Sequence, residues 1–401
     1  MEVRPFGPDD DLEAELDLSR RAFGPISPAG RETRVAGVRR SIDAGAMLGA
    51  FEGGRLVGST RYHIMRQWWH GRSLPMAGVA SVKVAPEQRG RGIATAMMAA
   101  QLDDIADRGY PLSVLFPATA PLYRAHGWEI AGRRFETVLP TAALTTLARP
   151  DLPAPAASAE PEVRRATLAD GAAIVDIKGL VHERLLHSGP NTREPWELHR
   201  WLDDDDHFAY IADDGFLSYR WSGDMEEIQV EELTAASAAT ARAFWRILAL
   251  NANIAGSIRA CLAPDDPVTW QIREPVAELH QVDTWMLRIV DAPAAIAGRG
   301  FPAGATVAVV LDLADPIRSV NSGRWSLSVS CGAGSLTRLG DAPAAAELTA
   351  LSVGARGFAA LYGGASIRAL RLAGLAAGGD PAADSALSAA FCGPAFTIDH
   401  F

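Results

Sequence analysis

The chain has 401 residues, of which 48% are hydrophobic and 21% charged, and its formal net charge is −10. At about 100–200 residues per domain, this length predicts two to four domains, and the composition excludes a disordered chain. Residues 151–290 carry 24 acidic and 12 basic groups, a field that repels nucleic acid and anionic membranes and attracts cationic ligands.

The start of the chain and its cysteines predict the compartment. The acidic start, MEVRPFGPDDDLEAEL, is unlike the basic flank and apolar run of a secretory signal, and we find no run of about 18 apolar residues. Cys261, Cys331 and Cys392 are far apart, which predicts reduced thiols buried as small hydrophobes, without disulfides or a metal site. We therefore expect a cytoplasmic protein.

Lys83 and Lys178 are the only lysines. We attribute this preference for arginine over lysine to genome composition.

The region 78–109 is predicted to form a strand, a loop and a long helix. Val79 to Val84 is rich in β-branched residues, and the helix is entered through Arg89-Gly90-Arg91-Gly92. Such an entry offers backbone N–H groups at the positive end of the helix dipole, and the glycines let a phosphate approach them. The segment predicts an anion cradle, although neither a Walker loop nor G-x-G-x-x-G is present. A surface Arg-Gly helix cap is the alternative.

The next region, 110–132, is predicted to contain a strand, a short helix that carries Leu122-Tyr123, and a last strand that begins at Gly127-Trp128. A segment rich in Pro, Ala and Ser follows at 145–167 and predicts an interdomain linker.

The second part of the chain is predicted to repeat the first. EVRRATLADGAAIVDI (162–177) is similar to the start of the chain, with a short basic strand, an Asp-rich helix cap and an amphipathic helix. At 227–248 a strand, loop and helix follow, without glycine or arginine at the cradle position. We interpret this unit as a degenerate repeat whose acidic face forms one wall of a substrate cleft. Asp203 to Asp206 favours a solvated loop or helix start, with a contribution to a cation funnel as the alternative.

A third unit begins after 285–302, where a β-rich run ends and a short helix closes at Gly300. Strands are predicted at 303–312 and 323–330 and helices at 344–364 and 381–393, so the unit is α+β. The predicted domains are therefore 1–150, 160–288 and 289–401.

The motif Arg89-x-x-Gly92-x-Ala94 resembles the pyrophosphate-binding motif of the GNAT acetyltransferases. Two GNAT-like units followed by a unit similar to sterol carrier proteins resemble the layout of the Eis (enhanced intracellular survival) family over essentially the whole chain. WMLRIVDAPAAI (285–296), LYGGAS (361–366) and the aromatic C-terminus are also similar to that family. The resemblance implies an α/β tandem GNAT fold with an α+β C-terminal domain. It also implies a homohexamer that transfers acetyl groups from acetyl-CoA, without a metal, to cationic amines such as aminoglycosides and lysine side chains.

The same resemblance implies which residues bind acetyl-CoA. The backbone of the strand end would face the pantetheine arm and acetyl carbonyl, the helix entry would hold the pyrophosphate, and the loop after the next strand would contact the cofactor. These residues are Val82, Lys83 and Val84; Arg89, Gly90, Arg91, Gly92, Ile93, Ala94 and Thr95; and Ala118 and Thr119. Ala118 replaces a serine often found there in the family, and Lys83 is expected to act through its main chain.

Direct acetyl transfer to an amine needs a base for the ammonium proton (pKa about 10.4) and an acid for the departing thiolate (pKa about 8.5). Tyr123, which matches a tyrosine that recurs in the superfamily, is our candidate acid, and a half-buried packing role is its alternative. His126, His63 and His70 are rival bases, but no recognisable carboxylate relay accompanies them.

The terminal carboxylate of Phe401 is our candidate base. The tail FTIDHF (396–401) is apolar enough to be buried but ends in a charge that would be costly to bury unpaired. Its pKa of about 3.5 leaves it ionised and able to pair with a cationic amine. Eis-like enzymes place their C-terminus in the active site, whereas a frayed terminus is the alternative.

Two other functions remain open, a carrier of lipid or other hydrophobic ligands that uses the third unit and a catalytically silent CoA-binding sensor. The cradle and Tyr123 argue against both.

Overall fold

A computed structural model of the protein describes residues 1–145, 147, 160–192, 194–198, 202–340 and 350–401. The predicted boundary at residue 150 and most of the predicted linker lie outside these ranges. None of the helices within the ranges is long and apolar enough to cross a membrane.

The first unit contains six strands and five helices in the described ranges: β1 (Glu2–Pro5), α1 (Leu12–Phe23), α2 (Pro28–Asp43), β2 (Met47–Glu52), β3 (Arg55–Trp69), β4 (Arg72–Val84), α3 (Ile93–Asp107), β5 (Leu112–Leu115), α4 (Ala120–Ala125), β6 (Glu129–Pro140) and α5 (Thr141–Leu144). Its first helix begins where Asp11 accepts hydrogen bonds from the main-chain N–H groups of Glu13 and Ala14, so the Asp-rich cap expected from the sequence is present.

The second unit contains β7 (Arg164–Arg165), α6 (Gly171–Arg184), β8 (Asn191–Thr192), β9 (His207–Ala212), β10 (Gly215–Trp221), β11 (Glu227–Ala235), α7 (Ala238–Ala249), β12 (Ser257–Cys261), α8 (Val268–Gln271) and β13 (Glu278–Ile289). Asp203 to Asp206 forms an exposed turn that leads into β9, so the loop prediction is confirmed. Short 3₁₀ turns lie at Pro86–Gln88 in the first unit and at Leu168–Asp170 and Pro195–Leu198 in the second.

The third unit contains α9 (Ala292–Gly298), β14 (Val307–Ala314), β15 (Gly323–Ser330), β16 (Ala333–Arg338), β17 (Leu351–Gly354), α10 (Ala355–Tyr362), α11 (Ile367–Leu372), β18 (Ala376–Gly378) and α12 (Asp384–Ala390), with 3₁₀ turns at Ser319–Asn321 and Pro381–Ala383. Its sheet has the order β16-β15-β14-β17-β18.

The prediction of one helix over 344–364 was wrong for its middle part. Residues 344–349 lie outside the described ranges, Leu351–Gly354 is a strand, and the helix occupies only Ala355–Tyr362. Leu351 and Val353 are buried and pair in parallel with β14, so sheet pairing overrides the local helix propensity of an alanine-rich segment.

Burial of all three cysteines was also wrong. Cys261 is buried, but Cys331 and Cys392 are exposed, and all three are unpaired thiols. Cys331 lies in the tight turn between β15 and β16 with φ of 49°, a position that faces solvent.

The first two units share one sheet through an exchange of their last strands. In the described residues the sheet has 13 strands, with the order β1-β2-β3-β4-β5-β13-β6-β12-β11-β10-β9-β7 and β8 beside β3. The order is symmetric about its centre: β13 of the second unit pairs with β5 of the first, and β6 of the first pairs with β12 of the second. A pseudo-twofold axis therefore passes between β13 and β6, which also pair with each other.

The predicted internal repeat is visible in two matching ion pairs. Arg4 contacts Asp10 through two hydrogen bonds of 2.6 and 2.7 Å, and Arg164 contacts Asp170 through two of 2.6 and 3.0 Å. The arginine hydrogen bonds lower the pKa of both carboxyls. The same geometry at the same spacing shows that both units begin with one structural motif.

The third unit packs against the first through a continuous core. Trp69 of the first unit lies 4.7 Å, centroid to centroid, from Tyr362 of the third. Arg288 on β13 forms a buried ion pair of 2.7 Å with Asp315, which follows β14. These contacts fix the third unit against the shared sheet.

Candidate functional site

The candidate site begins where two parallel strands separate. β4 pairs with β5 only from Met76 to Gly78. Beyond Gly78 the register with β3 shifts, and Ser81 has a φ of 55°, a β-bulge that increases the local bend of the strand. The backbone from Val79 to Val84 is therefore not paired with β5, and a V-shaped opening lies between the two strands.

The helix entry lies at the end of this opening. Gly92 is the N-cap of α3 with φ of 78°, and Gly90 has φ of 77°. A Cβ added at either glycine would meet no atom within 4 Å, so the space in front of both is open. Since Gly92 has no side chain with which to cap the helix, the first-turn N–H groups face this space. The strand, loop and helix predicted from the sequence are present.

The other predicted cofactor-binding residues lie around the same opening, because the carboxyl ends of parallel β4 and β5 meet at one sheet edge. Val82 and Ala94 are half-buried, whereas Lys83, Val84 and Ile93 are buried; Arg89, Gly90, Arg91, Gly92, Thr95, Ala118 and Thr119 are exposed. Arg91 forms an ion pair of 2.9 Å with Glu52 on β2.

The side chain of Lys83 is directed into the protein. Its Nζ lies 2.6 Å from Glu15 Oε1, and both side chains are almost fully buried. Burial lowers the pKa of Lys83. Only the main chain of this residue remains for a ligand.

Tyr123 lies on α4, the helix that follows β5. Its ring packs edge-to-face on Trp128 with centroids 6.5 Å apart, and the residue is 6% exposed. Burial raises the pKa of its hydroxyl, which keeps the phenol protonated at neutral pH. Within the described ranges no side chain or main-chain group is hydrogen-bonded to that hydroxyl, so it can donate its proton to a ligand.

The three rival histidines lie in different surroundings. Both ring nitrogens of His126 face main-chain carbonyls, those of Leu122 at 2.9 Å and Thr95 at 3.2 Å, which fits a structural role. His70 lies in the turn between β3 and β4, where burial lowers its pKa. The ring of His63 is 6.1 Å from that of Phe401, so His63 is the member of this set that contacts the C-terminal residue.

The C-terminal tail is docked rather than frayed. Main-chain hydrogen bonds join Arg133 to Ala395 and Thr397 at 3.1 Å each, and join Phe396 to Ser188 at 3.0 Å. The tail thus lies between β6 of the first unit and the segment before β8 of the second. Its burial agrees with the apolar character of the tail sequence.

Phe401 ends this tail at the point where β4 and β5 separate. A Cβ on Gly78 would lie 2.7 Å from the Phe401 ring, so the ring rests directly on the last residue of β4 that pairs with β5. Phe116, which follows β5, packs on Phe401 at 5.3 Å and stacks on His400 at 4.2 Å. The structure therefore brings Phe401 to the same opening as the cradle.

Two residues of this arrangement were not identified from the sequence, Gly78 and Phe116. Gly78 lies within β4, directly before the predicted strand Val79 to Val84, and a glycine inside a strand is a signal of close approach by another group. Phe116 gave no comparable signal. Among the described residues no three His, Cys, Asp or Glu side chains form a group that could hold a metal ion.

Comparison with protein families gives the same organisation. Residues 2–131 and 189–289 each match an acetyltransferase (GNAT) domain model, and residues 292–395 match a sterol carrier protein domain. The predicted fold class, tandem GNAT-like units followed by a sterol-carrier-like unit, is confirmed.

Relatives of similar length are known. The chain is similar over its full length to the crystal structure of a GCN5-related N-acetyltransferase from Kribbella flavida, with 38% identity, 98% of that chain covered and a TM-score of 0.91. It is similar to the structure of an Eis protein from Mycobacterium abscessus, with 25% identity, complete coverage of both chains and a TM-score of 0.79. It is also 28% identical to the N-acetyltransferase Eis of Mycobacterium tuberculosis over 307 residues, 71% of each chain.

Proposed function

The chain belongs to the GCN5-related N-acetyltransferases, and from this premise we propose that it transfers the acetyl group of acetyl-CoA directly to an amino group of a cationic substrate in a ternary complex. The observation that carries this proposal is the opening between β4 and β5, at whose end the glycine-capped start of α3 presents backbone N–H groups. An opening of this shape suits an extended ligand with a phosphate at one end.

The chain's own groups fit acetyl-CoA. The unpaired main chain of Val82 to Val84 would hydrogen-bond the amide groups of the pantetheine arm and polarise the thioester carbonyl. Arg89 to Thr95 would hold the pyrophosphate, since a Cβ at Gly90 or Gly92 would occupy the open space in front of the helix. The exposed Ala118 and Thr119 would contact the cofactor from the β5 side. Acetyl-CoA supplies the activated acyl group when bound.

Two groups would carry out the proton transfers. The carboxylate of Phe401 accepts a proton from the substrate ammonium, which frees the nitrogen lone pair for attack on the thioester carbon. The C–N bond forms, the C–S bond breaks, and the Tyr123 hydroxyl donates its proton to the departing thiolate. The nitrogen loses a second proton as the amide forms, and this proton restores Tyr123 through solvent. The Phe401 carboxyl group releases the first proton to solvent, so both groups return to their starting states.

The charge distribution supports a cationic substrate. The acidic excess between residues 151 and 290 raises the local concentration of amines near the shared sheet. The Eis resemblance suggests which cationic substrates to expect, namely aminoglycoside-like amines and lysine side chains. We propose polyvalent small amines first, because they place several ammonium groups within reach of one carboxylate.

Assembly and location are part of the same proposal. The resemblance implies a homohexamer, which light scattering on the purified protein would test. Three unpaired cysteines, two of them exposed, suit the reducing cytoplasm.

The deciding experiment measures free-thiol release from acetyl-CoA with a panel of aminoglycosides, polyamines and lysine peptides. We expect saturable turnover with polyvalent amines and none with neutral amides. Tight acetyl-CoA binding without turnover on any amine would contradict the proposal and favour a sensor. Absence of both, with binding of a fatty acid, would favour a carrier.

A further inference from the structure

The second unit has a counterpart of the cofactor opening. β11 pairs in parallel with β12 only from Glu227 to Val230, and the strands separate beyond that point, as β4 and β5 do beyond Gly78. The two bulges also correspond, because the pair Ser218–Glu232 lies next to a register shift, as the pair Ser59–Lys83 does. The pseudo-twofold axis thus relates two openings, and the mechanism uses only the first.

The phosphate end of the second opening is closed. α7 begins after Ser237, whose hydroxyl accepts a hydrogen bond of 3.3 Å from the main-chain N–H of Thr240. The Thr240 hydroxyl in turn donates to the carboxylate of Asp214. A capped helix with a carboxylate beside it repels the anion that Gly92 would admit.

The remainder of the second opening is a cavity of about 230 Å³. It is bounded by the ends of β11 and β12, by α7 and α8, and by α6 and the C-terminal tail. Apolar walls come from Trp245, Leu262 and Phe396, and the polar groups include Asp265, Asp266 and Gln271. The cavity is therefore largely apolar with acceptor groups at one side.

One of these acceptors has no hydrogen-bond partner. Gln271 is the fourth residue of α8, as Tyr123 is the fourth of α4, and its Oε1 is buried without a partner among the described residues. A buried acceptor left without a donor costs free energy, which a ligand N–H group would recover.

The lining favours positive charge. Its 18 residues include two carboxylates but no lysine or arginine. His182 and His187 also line it, and burial lowers the pKa of both rings, so they are neutral at pH 7. Burial raises the pKa of Asp266 to about 6, and a cation beside it would lower that pKa again.

We propose that this cavity is a second ligand site, which binds a small organic ammonium ion with an apolar body, accepts its N–H hydrogen bond at Gln271 Oε1 and pairs its charge with the carboxylate of Asp266. The site does not depend on acetyl transfer and takes no phosphate. Its occupant contacts Phe396 and Ile398, which belong to the tail that ends at Phe401.

The probe for this site is N,N-dimethylbutylammonium, which carries one N–H donor and cannot form a stable amide. Calorimetry without acetyl-CoA should detect binding, whereas 1-hexanol, a neutral probe of similar size, should bind at least about tenfold more weakly. At pH 6 binding should also release protons from Asp266, so the observed heat should depend on the ionisation enthalpy of the buffer.

Variants separate this cavity from the amine site beside Phe401. Asp266→Asn retains an oxygen that can accept the hydrogen bond from Val268 N but loses the charge, and Ala241→Leu fills the cavity. Each substitution should weaken binding of the probe at least about tenfold. The matched control is Asp291→Asn, because Asp291 accepts an equal hydrogen bond of 2.9 Å at the start of α9.

Gly92→Glu should leave this binding event unchanged. The proposal is overturned if the probe binds Asp266→Asn and Ala241→Leu as tightly as the natural protein, or if 1-hexanol binds as well as the ammonium. If Asp266→Asn fails to fold, the Ala241→Leu variant and the comparison with 1-hexanol still test the proposed site.

Discussion

Glu232 occupies the place in β11 that Lys83 occupies in β4, and the two residues form buried ion pairs of opposite polarity. Lys83 on the strand contacts Glu15 on α1 at 2.6 Å, whereas Glu232 on the strand contacts Lys178 on α6 at 2.8 Å. These are the two lysines of the chain. Genome composition alone therefore does not explain why these two positions are lysines. The compact ammonium group of lysine fits a buried ion pair, whereas the guanidinium of an arginine would leave more N–H donors in need of partners.

Breaking the first of these pairs should destabilise the protein strongly. Glu15→Leu leaves the Lys83 charge buried without its partner, and we expect a loss of about 3–5 kcal/mol in the free energy of unfolding. Lys83→Met combined with Glu15→Leu should restore most of that loss, because no buried charge remains. Urea unfolding of both variants measures the difference, and equal losses in the two would contradict an ion-pair explanation.

Local features of this fold could be predicted from the sequence, and long-range ones could not. The Arg89 to Gly92 entry was recognisable because strand, glycines and helix are contiguous, and the two Asp caps repeat within short segments. The exchange of β6 and β13 had no local signal, since each strand has the same alternation whichever neighbour it pairs with. The Lys178–Glu232 ion pair also had no local signal, because its two residues are 54 positions apart in the sequence.

Gly92→Glu should abolish acetyl-CoA binding. The side chain would place negative charge in the open space before α3, and φ of 78° is unfavourable for a non-glycine residue. Calorimetry should show a loss of about 100-fold or more in affinity. Gly109→Glu is a matched control, because Gly109 has φ of 77° and equally open space at the other end of α3. Equal affinities in the two variants would show that the cradle is misassigned.

Tyr123→Phe should lower turnover far more than it weakens acetyl-CoA binding. The change keeps the ring that packs on Trp128 but removes the proton donor, and general acid catalysis contributes about 10²–10⁴-fold. Steady-state kinetics should give a kcat reduced by about 100-fold or more with the KM for acetyl-CoA nearly unchanged. An unchanged kcat would return Tyr123 to a packing role.

The thermal stability of the protein should fall in acid partly through His187. Burial lowers its pKa to about 4, whereas the unfolded side chain titrates near about 6.5. Between these values the unfolded state binds more protons than the folded state. Well above pH 6.5 His187 therefore does not change the free energy of unfolding, and at pH 4 it lowers that free energy by about 3 kcal/mol. His187→Gln should therefore show a smaller decrease in Tm from pH 7 to pH 4.5 by calorimetry. A parallel decrease in both proteins would exclude His187 as a contributor.

Moving the terminal carboxylate should remove most of the activity without unfolding the tail. Appending Gly-Gly after Phe401 keeps every side chain, including the ring that rests on Gly78, and leaves intact the hydrogen bonds of residues 395–397 with β6. It displaces only the charged group that we propose accepts the ammonium proton, so kcat/KM for the amine should fall by about 100-fold or more. The acetyl-CoA affinity and Tm should stay the same, and the same dipeptide at the N-terminus is the control. Because a displaced base loses its pairing with the ammonium, raising the pH should partly restore the rate by supplying neutral amine from solution. Full activity at neutral pH in the extended protein would mean that another group, for which His63 beside the Phe401 ring is the first candidate, accepts the proton.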